Sequence, residues 1–185
     1  MKIVLFSYLK FTLLFIVLCC MFYPAFLICV NYLLPEKTFS GKLFIDDRYI
    51  YKEIVIKTDD PGYFMPRPSA AGHNPIQSGA SNKGPYDPDY LDEINLRQYE
   101  YRKINNYHKG LVPVDAVTAS GSGLDAYISV KNALIQSGRI AELTGLKRSE
   151  ITALIDAEKE RGFLSGEIVN INRLNAKLYQ VNKSK

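Results

Sequence analysis

The densest set of potentially reactive side chains lies in one segment, VPVDAVTASGSGLDAYIS at Val112–Ser129. Three small hydroxyl residues alternate there with alanine and glycine: Thr118, Ser120 and Ser122. A glycine turn between a strand-like and a helix-like run is the usual setting of a nucleophilic serine or a phosphate-binding loop. The serine motif G-x-S-x-G fails, because Ser120 stands where its first glycine belongs. The phosphate-binding motif also fails, because Leu124 replaces the lysine that would follow Gly123. The segment therefore favours a structural turn, in which glycine takes a positive φ angle.

Histidine supplies a second test for chemistry. The chain has two histidines, His73 and His108, and neither belongs to an H-x-x-x-H pair or has a cysteine in the same part of the chain. The sequence therefore predicts no metal site and no catalytic residue. Two alternatives stay open at this point. One is a membrane-anchored serine hydrolase that uses Ser120 or Ser122 with one of the histidines. The other is a stand-alone extracytoplasmic module that binds a small ligand or an ion.

The N-terminal part of the chain is typical of a membrane anchor. Residues 11–34 carry no charge, and as a helix they extend about 36 Å, more than the roughly 30 Å of a hydrocarbon core. The run is longer than the apolar region of a signal peptide, and no small-x-small cleavage site follows it. We therefore predict a short N-terminal segment at residues 1–10, a transmembrane helix at 11–34 and a folded domain at 35–185. Basic residues on both sides of the span do not select its orientation.

The composition of the predicted domain excludes two further classes. The three cysteines all lie inside the span, at Cys19, Cys20 and Cys29, so the domain must fold without disulfides. Of the 23 lysines and arginines, two (Lys2 and Lys10) precede the span, which leaves 21 against 19 acidic residues. This balance of +2 lacks the clustered basic face of a nucleic-acid-binding domain. No nucleic-acid partner is expected.

Patterns of apolar and turn-forming residues predict a mixed α+β fold for the domain. Two strands are expected within Gly41–Asp60, around a turn at Asp46-Asp47. An ordered loop is expected at Pro61–Pro88, packed on the domain because its apolar side chains, including Ile76 and Tyr86, need burial. Helices are expected at Asp89–His108, Val130–Gln136, Arg139–Thr144, around Ile151 up to Gly162, and after a cap at Asn170. Short strands are expected at Val112–Val117 and Ile168-Val169, and Ser129 is the expected cap of the helix that follows it.

Several motifs, taken in order behind one N-terminal span, resemble a known family. They are Tyr23-Pro24 in the span, GYFMPRPSA (Gly62–Ala70), SGASNKGP (Ser78–Pro85), the Val112–Ser129 segment, ALIQSGRIAELTGL (Ala133–Leu146) and VNINRLNAKL (Val169–Leu178). Together they resemble the C subunit of the bacterial and archaeal Kdp complex, the high-affinity potassium-transporting P-type ATPase. The match covers most of the chain from Gly62 to Leu178. One departure is Lys147, which stands where the family usually has a helix-capping serine.

The resemblance implies an accessory subunit that forms neither the pore nor the ATPase site. Its implied partners are a channel-like potassium-binding subunit, a P-type ATPase subunit, a small membrane subunit and the lipid bilayer. The implied topology is a single-pass cell-membrane protein with residues 1–10 in the cytoplasm and 35–185 outside it. The family's role is to stabilise the complex and, as a catalytic chaperone, to raise the affinity of the ATPase subunit for ATP. Nucleotide contact is implied at Gln136 and Arg139.

We further expect the domain to lie over the mouth of the channel-like subunit and to touch it through the loop and the glycine-serine turn. The expected contact residues are Tyr63, Phe64, Arg67, Ser69, Ser78, Ser81, Asn82, Thr118, Ser120, Ser122 and Asp125.

Overall fold

The structure is a computed structural model that describes residues 2–33, 42–45, 48–51, 54–162 and 166–183. The chain separates into two compact units, Met1–Gly41 and Lys42–Lys185. The first unit contains one long apolar helix, and the second contains helices and small antiparallel sheets. The predicted α+β class with one N-terminal apolar helix is therefore confirmed.

The N-terminal helix has an irregular turn at its centre. Helix α1 (Lys2–Val17) continues into a π-helical turn at Leu18–Phe22 and then into α2 (Tyr23–Leu33). Pro24 explains the irregularity, since its ring would clash with the carbonyl four residues earlier in a regular α-helix. The stretch Phe6–Val30 is long and apolar enough to cross a membrane. It begins before the predicted span of residues 11–34, whose limits stay a prediction.

The second unit begins with a hairpin. Strands β1 (Lys42–Ile45) and β2 (Arg48–Tyr51) pair in antiparallel register, with Lys42 opposite Tyr51 and Ile45 opposite Arg48. The predicted pair of strands is therefore present, whereas the predicted turn at Asp46-Asp47 lies outside the described residues. The long loop predicted at Pro61–Pro88 follows. It contains turns and bends but no helix or strand up to residue 87, as expected from its density of proline and glycine.

The predicted helix after this loop exists, but the predicted strand that comes next does not. Helix α3 (Pro88–Ile104) begins at Asp87, whose carboxylate accepts a hydrogen bond from the Asp89 amide at 3.0 Å. The segment predicted as a strand at 112–117 contains instead a short helix, α4 (Val114–Val117). The prediction was wrong because Pro113 starts a helical turn there, which ends where the Thr118 amide donates to the carbonyl of Val114.

A three-stranded antiparallel sheet and three helices form the rest of the domain. The elements, in chain order, are β3 (Tyr127–Ser129), α5 (Val130–Thr144), α6 (Arg148–Glu158), β4 (Glu160–Gly162), β5 (Gly166–Asn170) and α7 (Ile171–Lys183). The strand order is β3-β5-β4. The predicted caps are confirmed, since Ser129 Oγ accepts from the Asn132 amide at 3.1 Å and Asn170 Oδ1 from the Arg173 amide at 3.1 Å. At Lys147 the missing capping hydroxyl is partly replaced by Glu150, whose carboxylate accepts from the Lys147 amide at 2.8 Å.

Helix α5 is one helix, although the sequence predicts two short helices that break at Ser137-Gly138. Ser137 is fully buried, and its hydroxyl donates to the Leu134 carbonyl at 2.7 Å, so it is satisfied within the helix. Gly138 costs about 1 kcal/mol of helix propensity, which the packing of the buried face outweighs. The helix ends at Gly145, whose φ of 69° supplies the left-handed cap.

The core lies between the sheet, α5, α6 and α7, and it includes one residue of the long loop. Its buried side chains are Val55, Phe64, Ala126, Ile128, Ala133, Ile140, Leu146, Ile151, Ile155, Val169, Ile171, Leu174 and Leu178. Two asparagines of α7 bind the start of the domain through paired hydrogen bonds. Asn172 bonds to the Ile54 carbonyl at 2.8 Å and the Ile56 amide at 3.2 Å. Asn175 bonds to the amide and carbonyl of Phe64, at 2.8 and 3.0 Å.

Candidate functional site

Gln136, on the buried face of α5, holds the long loop by its backbone. The side-chain oxygen accepts from the Met65 amide at 2.7 Å, and the side-chain nitrogen donates to the Met65 carbonyl at 3.2 Å. The same oxygen accepts from Arg139 at 3.0 Å, and the same nitrogen donates to Asn132 at 2.9 Å. Gln136 is only 2% exposed. These four bonds use both hydrogens and both lone pairs of the amide.

Arg139, one helical turn later, clamps the first residues of the same loop. Its guanidinium donates to the carbonyls of Pro61 and Tyr63, the latter at 3.1 Å, and its Nε donates to Asn105 Oδ1 at 3.0 Å. The residue is 5% exposed, and burial lowers the pKa of its guanidinium. Arginine nevertheless keeps its charge in proteins. It therefore joins α5, the loop and the C-terminal end of α3 through neutral oxygen acceptors.

A nucleotide does not fit Gln136 and Arg139 as they stand. Both side chains are buried, and every hydrogen-bonding position of the Gln136 amide is already used inside the domain. A triphosphate needs several free donors or cations at one place. Contact with ATP at Gln136 would break the bonds that hold Met65, so the geometry supports a structural role for this pair.

A second layer of polar residues supports Gln136, and the sequence pattern did not single it out. Asn132 Oδ1 accepts from the Tyr101 hydroxyl at 2.8 Å, and Asn132 Nδ2 donates to Asp115 at 3.0 Å. Asp115 in turn accepts from the amide and hydroxyl of Ser129, at 2.8 and 2.9 Å. Burial raises the pKa of the Tyr101 hydroxyl well above its ordinary value. The available signal was the four-residue spacing of Asn132 and Gln136, which places two amides on one helix face.

The glycine-serine turn packs against the other half of the loop. Four hydrogen bonds connect the two segments: Ser69 Oγ to the Gly123 carbonyl (2.7 Å), Ser78 Oγ to the Ser122 carbonyl (3.0 Å), the Gly79 amide to the Ser122 carbonyl (2.9 Å) and the Ser120 amide to the Pro68 carbonyl (3.0 Å). Gly123 has φ of 71°, and a Cβ atom there would lie 2.9 Å from the Gly79 carbonyl oxygen. Only glycine fits this contact, so the turn serves to hold the loop.

Arg67 and Asp125 make a third connection between the loop and the turn region. Their side chains form an ion pair at 3.0 Å, and the same carboxylate accepts from the Tyr127 amide at 3.0 Å. A cavity of about 370 Å³ lies beside Arg67 and extends toward α3. Arg97, at its edge, already bonds to Glu93 and to the Val117 carbonyl, both at 3.1 Å. Each of the two arginines that line the cavity is therefore paired with a carboxylate, and Arg67 Nε is buried without a hydrogen-bond partner among the described residues.

The serine-hydrolase alternative finds no support among the described residues. His73 Nε2 lies 2.9 Å from the Arg67 carbonyl oxygen, and His108 Nε2 lies 2.7 Å from Asn106 Oδ1. The Nε2 atom of each imidazole is thus bonded to an oxygen that is not a serine hydroxyl. Ser120 is buried, and Ser122 Oγ accepts from the amide of Leu124 at 3.1 Å. Within the part of the chain that the structure describes, no group of three metal-binding side chains occurs either.

The remaining expected contact residues differ in their exposure. Phe64 is enclosed in the core, so its side chain anchors the loop and presents no surface to a partner. Tyr63 and Ser81 are half-buried, and the Thr118 hydroxyl donates to the Val114 carbonyl at 2.8 Å. Asn82 is exposed, with φ of 53°.

Two apolar residues of the loop are exposed, although the sequence predicts their burial. Ile76 is 92% exposed and Tyr86 is 90% exposed. The prediction was wrong because the loop is fastened through its polar and backbone groups on either side of these residues, which leaves both side chains outside. Their apolar surface is free for contact with another molecule.

Comparison with known proteins identifies the family. A family model described as "KdpC: K+-transporting ATPase, c chain" matches residues 5–180. A relative from Flavobacterium psychrophilum, described as a potassium-transporting ATPase KdpC subunit, is 37% identical over 177 residues, which cover 94% of this chain and 96% of that protein. Relatives of the same description from Flavobacterium johnsoniae (36% identical, 96% and 98% covered) and Geotalea uraniireducens (33% identical, 94% and 95% covered) agree. The chain therefore belongs to the KdpC family, the c chain of K+-transporting ATPases.

Proposed function

We propose that this chain is a docking subunit that stabilises the potassium-transporting ATPase assembly and contributes neither pore nor ATP hydrolysis. The proposal rests on the long loop. Hydrogen bonds from Gln136, Arg139 and the glycine-serine turn hold its backbone, and yet it exposes two apolar residues, Ile76 and Tyr86. The partner of this surface is the channel-like potassium-binding subunit. The P-type ATPase subunit and the small membrane subunit complete the complex, and the single span anchors the chain in the cell membrane with its domain outside the cytoplasm.

The hydrogen bonds that hold the loop make it a suitable docking element. A flexible loop loses conformational entropy when it binds, at about 0.5–1.5 kcal/mol for each side chain that becomes immobile. Here Gln136, Arg139 and the glycine-serine turn order the loop before any partner arrives. Binding then keeps more of the free energy of apolar burial, and tyrosine is among the residues enriched at such interfaces.

A docked domain can affect ATP affinity without touching ATP. A ligand or subunit that contacts one conformation of its partner better than another shifts the partner toward the favoured conformation. The catalytic-chaperone role would follow if the docked surface favours the conformation of the ATPase that binds nucleotide tightly. This mechanism is supported by the buried, fully bonded state of Gln136, which leaves direct nucleotide contact without a free group.

A double substitution in the full complex tests the docking surface. Ile76→Ser with Tyr86→Ser removes the exposed apolar groups and leaves the bracing intact. We expect co-purification with the partner subunits to fall at least about tenfold, the equivalent of about 1.4 kcal/mol, and potassium-limited growth to fail. Leu111→Ser with Leu143→Ser is the matched control, since it removes two exposed apolar residues outside the loop. Normal assembly and transport by the loop variant would contradict the proposal.

The orientation needs a separate test. Lys147 is exposed at the start of α6, so Lys147→Cys in a chain whose three native cysteines are replaced by alanine gives one accessible thiol. A membrane-impermeant maleimide should label this variant in intact cells. Labelling that appears only after the cells are lysed would place the domain in the cytoplasm.

A further inference from the structure

The π-helical turn of the N-terminal helix changes which backbone groups are paired. In an α-helix the carbonyl of Cys19 accepts from the amide four residues later, and in a π-helix from the amide five residues later. The amide four residues after Cys19 belongs to Tyr23, and it donates instead to the carbonyl of Leu18. The residue five positions after Cys19 is Pro24, which has no N–H to donate. Within the helix that the structure describes at residues 2–33, the Cys19 carbonyl therefore lacks both its α-helical and its π-helical backbone donor.

No neighbouring side chain of the same helix replaces the missing donor. Hydroxyl and thiol groups bond back to carbonyls three or four residues earlier, as Thr12 does to Tyr8 at 2.9 Å. For Cys19 the corresponding positions are Phe22 and Tyr23. Phenylalanine has no donor, and the tyrosine hydroxyl stands at the far end of its ring.

The position of Cys19 makes this carbonyl important. The apolar stretch runs from Phe6 to Val30, so Cys19 lies about 20 Å from one end and about 16 Å from the other at 1.5 Å per residue. This is the middle of the hydrocarbon layer, where no water satisfies a backbone group. Irregular helices persist in membranes where neighbouring helices supply the missing hydrogen bond.

We propose that the Cys19 carbonyl is the point at which this span docks on a transmembrane helix of a partner subunit, and that this helix carries a hydroxyl or amide side chain that donates to it. The inference rests on the proposed function, since it requires a membrane-embedded partner. The two adjacent cysteines, Cys19 and Cys20, are small and exposed, and small side chains allow helices in a membrane to approach closely.

Pro24→Ala in the intact complex tests this proposal, because it restores an amide and should return the turn to α-helical bonding. The span becomes a more regular helix, yet we expect assembly of the complex to weaken about 3- to 30-fold, the range of one interhelical hydrogen bond in a membrane. Cys19→Leu with Cys20→Leu should weaken it as well, by blocking close approach. Cys29→Leu, at an exposed cysteine away from the π turn, is the control and should assemble normally.

An isotope-edited infrared measurement reports the hydrogen bond itself. In a chain with Cys20→Ala and Cys29→Ala, carbonyl-labelled cysteine marks only the Cys19 carbonyl. Its band should move to lower frequency in the complex relative to the chain alone in detergent. An unchanged band, normal assembly of the Pro24→Ala variant, or equal shifts from self-association of the isolated chain would each overturn the proposal. If Pro24→Ala assembles normally while the loop variant of Ile76 and Tyr86 does not, this inference fails and the proposed function survives.

Discussion

Replacing Gln136 with leucine separates a structural role of this side chain from a ligand-binding role. The substitution leaves the Met65 amide and carbonyl without their partner, whereas Asn132 and Arg139 keep other hydrogen bonds. An unsatisfied buried polar group costs about 1–3 kcal/mol. Met65 is only half-buried, so the lower part of this range applies to each of its two groups. We expect the free energy of unfolding to fall by about 2–3 kcal/mol, which lowers the Tm by about 4–12 °C in a domain of this size.

The assay is thermal unfolding of the full chain in detergent, followed by near-ultraviolet circular dichroism of its 13 tyrosines. Gln180→Leu is the matched control, since it makes the same substitution at an exposed position of α7 and should leave the Tm unchanged. ATP affinity of the assembled complex is measured for both variants. A Gln136→Leu chain that melts like the native chain, in a complex that has lost its high ATP affinity, would refute the structural role and favour nucleotide contact.

Three further predictions follow from the same contacts. Arg139→Lys keeps the charge but loses the planar guanidinium that reaches four acceptors, so chymotrypsin should cut the loop about tenfold faster than in the native chain. Gly123→Ala should lower stability in denaturant by at least about 1 kcal/mol more than Gly145→Ala, because both have positive φ but only the first meets the Gly79 carbonyl. Equal losses would contradict the close approach. Burial raises the pKa of Tyr101, so the folded chain keeps this proton above the unfolded pKa of about 10, and stability should fall as pH rises beyond it. Tyr101→Phe should reduce the decrease in Tm that the native chain shows between pH 8 and pH 11.

The features that sequence reasoning predicted correctly depend on local chemistry. The apolar run, the caps at Ser129 and Asn170 and the irregular character of the proline-rich loop follow from residues within a few positions of each other. The family resemblance likewise rested on short motifs. None of these inferences required knowledge of which distant segments meet.

The errors arose where distant contacts decide the structure. Packing on its buried face carries α5 through Ser137-Gly138, although both residues favour a break when considered alone. The pairing of Gln136 with Met65 joins residues 71 positions apart, and no local pattern marks it. Ile76 and Tyr86 look like residues that need burial, but polar groups on either side hold the loop and leave them outside. Sequence periodicity indicates which residues are apolar, and only the tertiary structure shows whether the chain itself covers them.

The paired bonds of Asn172 and Asn175 have a consequence for how this protein is made. They connect the last helix to backbone positions 111 to 118 residues earlier, so these backbone groups of Ile54, Ile56 and Phe64 lack their asparagine partners until the final residues are synthesised. At about 5–20 residues per second, ribosomes need several seconds to cover that interval. During this time the nascent chain is tethered by its apolar helix with an incomplete core. A stop codon before Ile171 should therefore yield an anchored but unfolded tail, a ready substrate for membrane proteases.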